Sequence, residues 1–388
     1  MNKKRNILLI LAIVFTAFNL RSPITGVGSL VSAIKTELNL SVSSAGIITT
    51  IPLITFAIAS PFISGLSKKF SAGQLMIYSL ITLAFGIVVR SYTGTAGLFI
   101  GTAIIGTGIA VGNVLLPSII KSQYPDKVGM MTSIYTTSMT IFAGLSSGIS
   151  VPLATKAGLG WKNALAVWLI LAVITIAIWI LQRNLQLEDK KAYKEAPKKN
   201  MYKSSVAWSV TLYMGTQSLL FYCFVAWLPT ILQAKGIHTE TAGYYASAYQ
   251  FMGIPASFSV PLLAVRKRNQ KAIAGIISFV YALGLMLFLF ADNPILIAVS
   301  VLICGFCSGA CISLAMSFIG LRSCGAQEAA SLSGMSQAMG YLLAAVGPFI
   351  MGVIFDICHS WNVPIICLIV MAVFLLAISL KAGEERTV

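Results

Sequence analysis

Twelve apolar runs, each about as long as a bilayer is thick, leave this chain few folds to choose from. A membrane helix needs about 20 predominantly apolar residues, and runs of that order occupy residues 6–34, 42–66, 74–92, 96–120, 129–153, 161–181, 205–232, 241–265, 272–291, 294–320, 329–355 and 361–380. In hydrocarbon every backbone N–H and C=O must be paired within the protein, and a run of this length pairs its own groups as a helix. The expected fold class is therefore an all-α membrane protein with twelve transmembrane helices. Composition agrees, since 57% hydrophobic and 10% charged residues with a mean hydropathy of +0.88 lie far from the soluble average.

The connections are short except for Gln182 to Ser204, which carries Arg183, Lys190, Lys191, Lys194, Lys198, Lys199 and Lys203. This divides the chain into an N-terminal six-helix bundle (residues 1–182), a basic cytoplasmic linker (183–203) and a C-terminal six-helix bundle (204–388). An even number of spans puts both termini on one side. That side collects Lys3, Lys4, Arg5, Lys68, Lys69, Lys121, Lys127, the linker, Arg266, Lys267, Arg268, Lys271, Arg322, Lys381 and Arg386, against Lys35, Arg90, Lys156, Lys162 and Lys235 opposite. The bias of 21 to five places the termini and linker in the cytoplasm of a multi-pass cell-membrane protein. The net charge of +16 then reads as topogenic and facing the lipid bilayer, which excludes a nucleic-acid footprint.

The first run is too long for the apolar core of a signal peptide and no small-residue cleavage site follows, so it counts as a span. Cys304, Cys307 and Cys311 share a helix face, but the two histidines, His238 and His359, fall at outer loops. No metal set, cofactor or disulfide framework is expected.

Shifting the chain on itself by 197 residues brings Ala45-Gly46 onto Ala242-Gly243, Gly108 onto Gly305 and Gly112 onto Gly309, and a shift of 198 pairs Ser138 with Ser336. The matches fall at corresponding depths of the second, fourth and fifth spans of each half. Six spans per half give two parallel six-helix repeats related by an axis along the membrane normal, which resembles the major facilitator fold. The pairs Gly108/Gly112, Gly144/Gly148 and Gly305/Gly309 are small-xxx-small spacings and are expected to serve close helix packing. Pro52, Pro117, Pro152, Pro229, Pro255 and Pro348 are expected to bend or end helices.

Polar residues at mid-depth are poorly solvated unless they face protein or water. Counting inward from the span ends nominates Asn19 and Arg21, Gln217 and Tyr222, Gln250, Gln337 and Tyr341, and less centrally Asn113 and Tyr135. Gln217 lies one residue from the repeat equivalent of Arg21, so the halves would present a cation and an amide to one small ligand. For each amide, an interhelical hydrogen bond is an equal alternative. Arg21 carries more weight, because an arginine at the middle of a membrane helix costs about 2.5–3.5 kcal/mol on insertion scales and normally faces a partner, a wet cavity or an anionic ligand.

All eleven carboxylates (Glu37, Asp126, Glu188, Asp189, Glu195, Glu240, Asp292, Glu328, Asp356, Glu384, Glu385) lie in loops or at span ends. A central cavity would then be electropositive, suited to an anion or an electron-rich neutral molecule. Energy coupling stays open between a proton carried with the substrate, movement down a gradient and exchange. An enzyme would need a mid-span nucleophile, acid/base pair or metal, and no mid-span His, Asp or Glu exists. A substrate sensor on a transporter scaffold is the other reading outside transport; within transport the alternative is an exporter of small aromatic or drug-like compounds. A monomer is expected.

Asn19-Leu20-Arg21-Ser22-Pro23, Gly112-Asn113-Val114-Leu115-Leu116-Pro117, Gly160-Trp161-Lys162, Gly215-Thr216-Gln217-Ser218-Leu219 with Tyr222 and Ala226-Trp227-Leu228-Pro229, and Leu332 to Tyr341 running to Gly347-Pro348 form an ordered set across the chain. As a set they resemble the cyanate permease and nitroimidazole transporter branch of the major facilitator superfamily. The resemblance implies a twelve-helix carrier of small molecules that alternates access, with Asn19, Arg21, Asn113, Gln217, Tyr222, Gln337 and Tyr341 as signature positions. One departure is the loop after the second span. Facilitators often place an aspartate four residues after a glycine there, whereas Gly65 is followed four residues later by Lys69, with Lys68 beside it.

Overall fold

The computed structural model describes residues 3–39, 42–185 and 200–388, and among them the regular structure is helical. The long elements are α1 (Lys3–Glu37), α2 (Val42–Lys69), α3 (Ala72–Tyr92), α4 (Gly94–Gln123), α5 (Val128–Thr155), α6 (Gly160–Ala166), α7 (Trp168–Ile180), α8 (Ser205–Ala234), α9 (Thr239–Val265), α10 (Lys271–Phe290), α11 (Pro294–Leu321), α12 (Ala326–Cys358) and α13 (Asn362–Ala382). They supply twelve helices long and apolar enough to cross a membrane, with α6 and α7 forming one such span over Gly160–Ile180. At the junction Ile170 N donates to Val167 O at 3.1 Å, an i to i+3 bond that tightens one turn without ending the span. The linker lysines from Lys190 to Lys199 lie outside the described residues.

Local chemistry explains several boundaries. Ser71 and Gln74 form a reciprocal capping box at the start of α3. Ser204 caps α8 through Ala207 N, and Asn293 caps α11 with Pro294 at its first position. Gly158 and Gly160 hold φ of 67° and 66° at the turn from α5 to α6, a backbone region where a side chain would be strained. The prolines at 23, 52, 61, 117, 152, 229, 255, 261 and 348 all sit inside helices. None of the six named from the sequence ends its helix.

The chain packs as two compact units: Met1–Asp126, Ile141–Lys199 and Gly325–Ala338 form one; Lys127–Thr140, Asn200–Cys324 and Met339–Val388 form the other. Helices α5 and α12 therefore contribute to both.

Inside the first unit glycines bring α3 and α4 together: a Cβ on Gly108 would meet Ser79 O at 2.7 Å, and one on Gly101 would collide with the Arg90 backbone. A serine ladder joins α1 to α5, with Ser146 Oγ donating to Ser22 O at 2.7 Å and Ser29 Oγ to Ser147 O at 2.9 Å. At one end, Val27, Leu30, Ile34, Ile48, Leu98, Trp161 and Leu165 form an apolar cluster. Beside it Glu37 receives Trp161 Nε1 at 2.7 Å and pairs with Lys162 at 2.8 Å. Inside the second unit, Gly305 and Gly309 of α11 lie against the backbone of Tyr249 and Gly253 of α9. The packing expected of Gly108/Gly112 and Gly305/Gly309 is thus realised. Gly148 differs: it is exposed, and nothing lies within 4 Å of a Cβ built there.

Two prolines have a further consequence. Pro117 lacks the N–H that would occupy Asn113 O four residues back, and in the first unit that carbonyl accepts Ser333 Oγ at 3.4 Å and Gln337 Nε2 at 3.5 Å. Pro261 likewise frees Ser257 O, which in the second unit accepts Thr136 Oγ1 at 3.0 Å. A proline in a membrane helix leaves an acceptor that a neighbouring helix can take.

Candidate functional site

The nominated residues divide between the units, and each group is described within its own.

In the first unit α1 carries Asn19 and Arg21. Asn19 is fully buried, and its Nδ2 donates to Phe15 O at 2.9 Å and Thr175 Oγ1 of α7 at 2.8 Å. Trp179 Nε1 donates to Thr16 Oγ1 at 2.8 Å one turn earlier, so this face of α1 is fastened to α7. Two residues on a helix are about 200° apart, so Arg21 projects from the opposite face, 9% exposed. Asn113 and Gln337 are both buried and meet through the Asn113 carbonyl. The Oδ1 atoms of Asn19 and Asn113 have no hydrogen-bond partner among the described residues.

In the second unit Gln217 is 2% exposed and turns its Nε2 onto its own helix, donating to Met214 O at 3.0 Å and Ser218 Oγ at 2.7 Å. The rings of Tyr222 and Tyr341 meet edge to face at 6.4 Å. Tyr135 is fully buried with its hydroxyl 3.8 Å from Met316 Sδ. Gln250 is buried on α9. Thr216 Oγ1, beside Gln217, and Thr137 Oγ1 lack partners among the described residues.

Two pairs of nominated residues thus come together, Asn113 with Gln337 and Tyr222 with Tyr341. The Nδ2 of Asn19 and the Nε2 of Gln217 are used in holding helices and their own turns.

One residue was misplaced by the sequence. Arg90, counted with the outer loops, is 1% exposed inside α3 and donates through Nη1 to Pro23 O of α1. An arginine two residues before the end of a span reads as interfacial. The signal against that reading is Gly97-x-x-x-Gly101 on the next helix, which lets the Arg90 backbone sink into the bundle. Arg322, counted with the loops of the side that holds the termini, is also buried, at 3% exposed. These two charges serve the interior and not the lipid surface.

Among the described residues no group of three or more His, Cys, Asp or Glu could hold a metal ion. Cys304, Cys307 and Cys311 are free thiols buried in α11.

Twelve helices long and apolar enough to cross a membrane, with polar side chains buried in both units, make this a polytopic membrane protein by architecture. The chain belongs to the Major Facilitator Superfamily, whose family model matches residues 7–348. It is 34% identical over 386 residues to the 2-nitroimidazole transporter of Escherichia coli K12, covering 99% of this chain and 98% of the relative. It is 22% identical over 356 residues to the cyanate transport protein CynX of the same organism, covering 91% of each. Among solved structures, the proton:xylose symporter XylE bound to 6-bromo-6-deoxy-D-glucose superimposes with a TM-score of 0.84 at 13% identity, covering 100% of this chain and 98% of that one. The fold is accordingly the major facilitator fold of two parallel six-helix repeats, and the protein is a transporter of small substrates, not an enzyme.

Proposed function

We propose that this transporter carries a small anion or small polar compound, cyanate-like or nitroimidazole-like, by alternating access around a central electropositive cavity. The observation that carries the reading is Arg21, a buried cation in the middle of the first span of a chain with no mid-span carboxylate. Arg21 supplies charge and orientation. Gln217, Gln250 and Gln337 supply hydrogen bonds, and the unmet acceptor on Asn113 favours substrates that also donate. The names of the two curated relatives support this substrate class.

In this reading the N-terminal bundle (1–182) and the C-terminal bundle (204–388) move against each other about the basic linker. Both termini face the cytoplasm of the cell membrane, the carrier works as a monomer, and its coupling is by a proton carried with the substrate, by movement down a gradient or by exchange. The edge-to-face pair Tyr222 and Tyr341 favours a second reading, export of small aromatic compounds.

Uptake into proteoliposomes tests the first against the second. Arg21→Gln should abolish uptake of the anionic substrate while insertion stays near normal. Arg21→Lys should also fail, because an ammonium is a point charge without the planar fork of a guanidinium. Undiminished anion uptake by Arg21→Gln overturns the reading.

A further inference from the structure

Arg90 offers a second place for an anion, separate from Arg21. Of its guanidinium nitrogens, Nη1 donates to Pro23 O, whereas Nε and Nη2 have no partner among the described residues. Those two nitrogens lie on the same edge of the planar group, the edge that grips a carboxylate or another planar oxyanion with two parallel hydrogen bonds. One complete fork is therefore unmet in a side chain that is 1% exposed.

The neighbouring residue repeats the deficit. Ser91 is also 1% exposed, and its Oγ has no hydrogen-bond partner among the described residues. Two consecutive polar side chains at the end of α3 thus bring unused donors into the bundle, one of them charged. A buried cation without a counter-charge is strongly destabilising, and so is a buried hydroxyl without a hydrogen bond.

The chain holds its nearby charges elsewhere. Glu37, at the end of α1, is taken by Lys162 and Trp161, and no carboxylate lies within the middle of any span.

We infer that Arg90 holds a small planar monovalent oxyanion on its Nε/Nη2 edge, with the Ser91 hydroxyl as an additional donor at the same end of α3. The anion neutralises the guanidinium inside the first unit and is resident, not cargo. Its occupancy is independent of whether Arg21 binds the transported species.

The test is thermal unfolding of the full-length protein in detergent at fixed ionic strength and pH, with the sodium salt varied among nitrate, formate, chloride and gluconate. Nitrate and formate should raise the melting temperature of the wild type by about 3 °C or more over gluconate, since a ligand of the native state stabilises by mass action. Chloride should do less. In an Arg21→Gln background, which removes the other proposed anion site, nitrate and formate should still raise the melting temperature over gluconate, Arg90→Gln added to it should abolish the difference between salts, and Arg90→Lys should reduce the preference for planar oxyanions over chloride.

A wild-type melting temperature that ignores the anion overturns the proposal, and this holds even if Arg90→Gln fails to fold. So does an equal shift in chloride, which removes the oxyanion class. In the Arg21→Gln background, a nitrate shift that persists when Arg90→Gln is added, or no nitrate shift at all, places the anion elsewhere and also overturns it.

Discussion

Arg90 in the first unit and Arg322 in the second are both arginines withdrawn from solvent, at 1% and 3% exposed, yet the protein treats them in opposite ways. Arg322 is met along its length. Its Nε donates to Ala382 O at 3.1 Å, its Nη2 donates to Gln270 Oε1, and its guanidinium lies 5.3 Å from the Phe318 ring centre. Ala382 is the last residue of α13, so the cation sits on an unpaired carbonyl at the negative end of a helix. Gln270 is held in turn by its Nε2, which donates to Ala264 O at 2.9 Å. Arg322 also accepts Val388 N on its own carbonyl at 2.9 Å. Burial still pulls Arg322 down to about 10, with Glu385 opposing the shift.

Among the described residues Arg90 meets one backbone carbonyl and nothing on its fork. The difference teaches what the fold can do with a buried guanidinium. Where the charge is structural, neighbouring elements supply an amide, a helix end and an aromatic face. Where those are withheld, the guanidinium keeps an unmet edge inside the fold, and the anion inferred for Arg90 rests on that edge.

The comparison can be broken most forcefully at Arg322. Arg322→Met would leave Gln270 Oε1 and Ala382 O unmet, and each buried acceptor left without a donor typically costs about 1–3 kcal/mol. A melting temperature in gluconate within a degree of wild type would show that its partners matter little. Arg90→Met, measured in the same gluconate buffer, loses only the bond to Pro23 O and sheds an unmet charge, so it should cost no more than about 1 kcal/mol or stabilise. If the two variants melt alike, the distinction between met and unmet arginines fails.

Asn19→Ala sharpens the picture on α1. Loss of the bond to Thr175 should lower stability by about 0.6–2 kcal/mol, the usual worth of an interhelical bond in a membrane, and Thr175→Ala combined with it should add little further. Full additivity in that double-mutant cycle would remove the α1–α7 fastening.

The smallest effect is expected at Glu37. The hydrogen bond from Lys162 holds its carboxyl below the usual carboxylate range. Its contribution is therefore present above the ordinary carboxylate value and is lost as pH falls through the lowered one. Because both side chains are about half exposed, Glu37→Gln should cost at most about 1 kcal/mol at neutral pH. The cost should vanish in acid, as thermal unfolding at pH 7 and pH 3 would register.

These contrasts also define what could be read from the chain. The twelve helices were legible because span length and apolarity are local properties, as were the close approaches at Gly108 and Gly305. The burial of Arg21 was legible because its distance from both span ends leaves its side chain no route to the headgroups. The arginines at positions 90 and 322 were not, since near a span end the same residue type serves topology, structure or binding, and only the neighbours decide. The role of the Asn113 carbonyl was half legible: Pro117 announces that an acceptor is freed, but Ser333 and Gln337 lie more than two hundred residues away in sequence. For Asn19 and Gln217, the alternative of a local or interhelical bond accounts for their amide nitrogens.

The central claim is that Arg21 recognises a small anion, and calorimetric titration of the purified protein with cyanate and with a neutral 2-nitroimidazole tests it most directly. Gluconate as the background anion leaves Arg21 without a small competitor. The account predicts that the wild type binds cyanate and that Arg21→Gln loses this binding at least tenfold. A protein that binds the neutral heterocycle equally well with and without Arg21, and cyanate not at all, would contradict it.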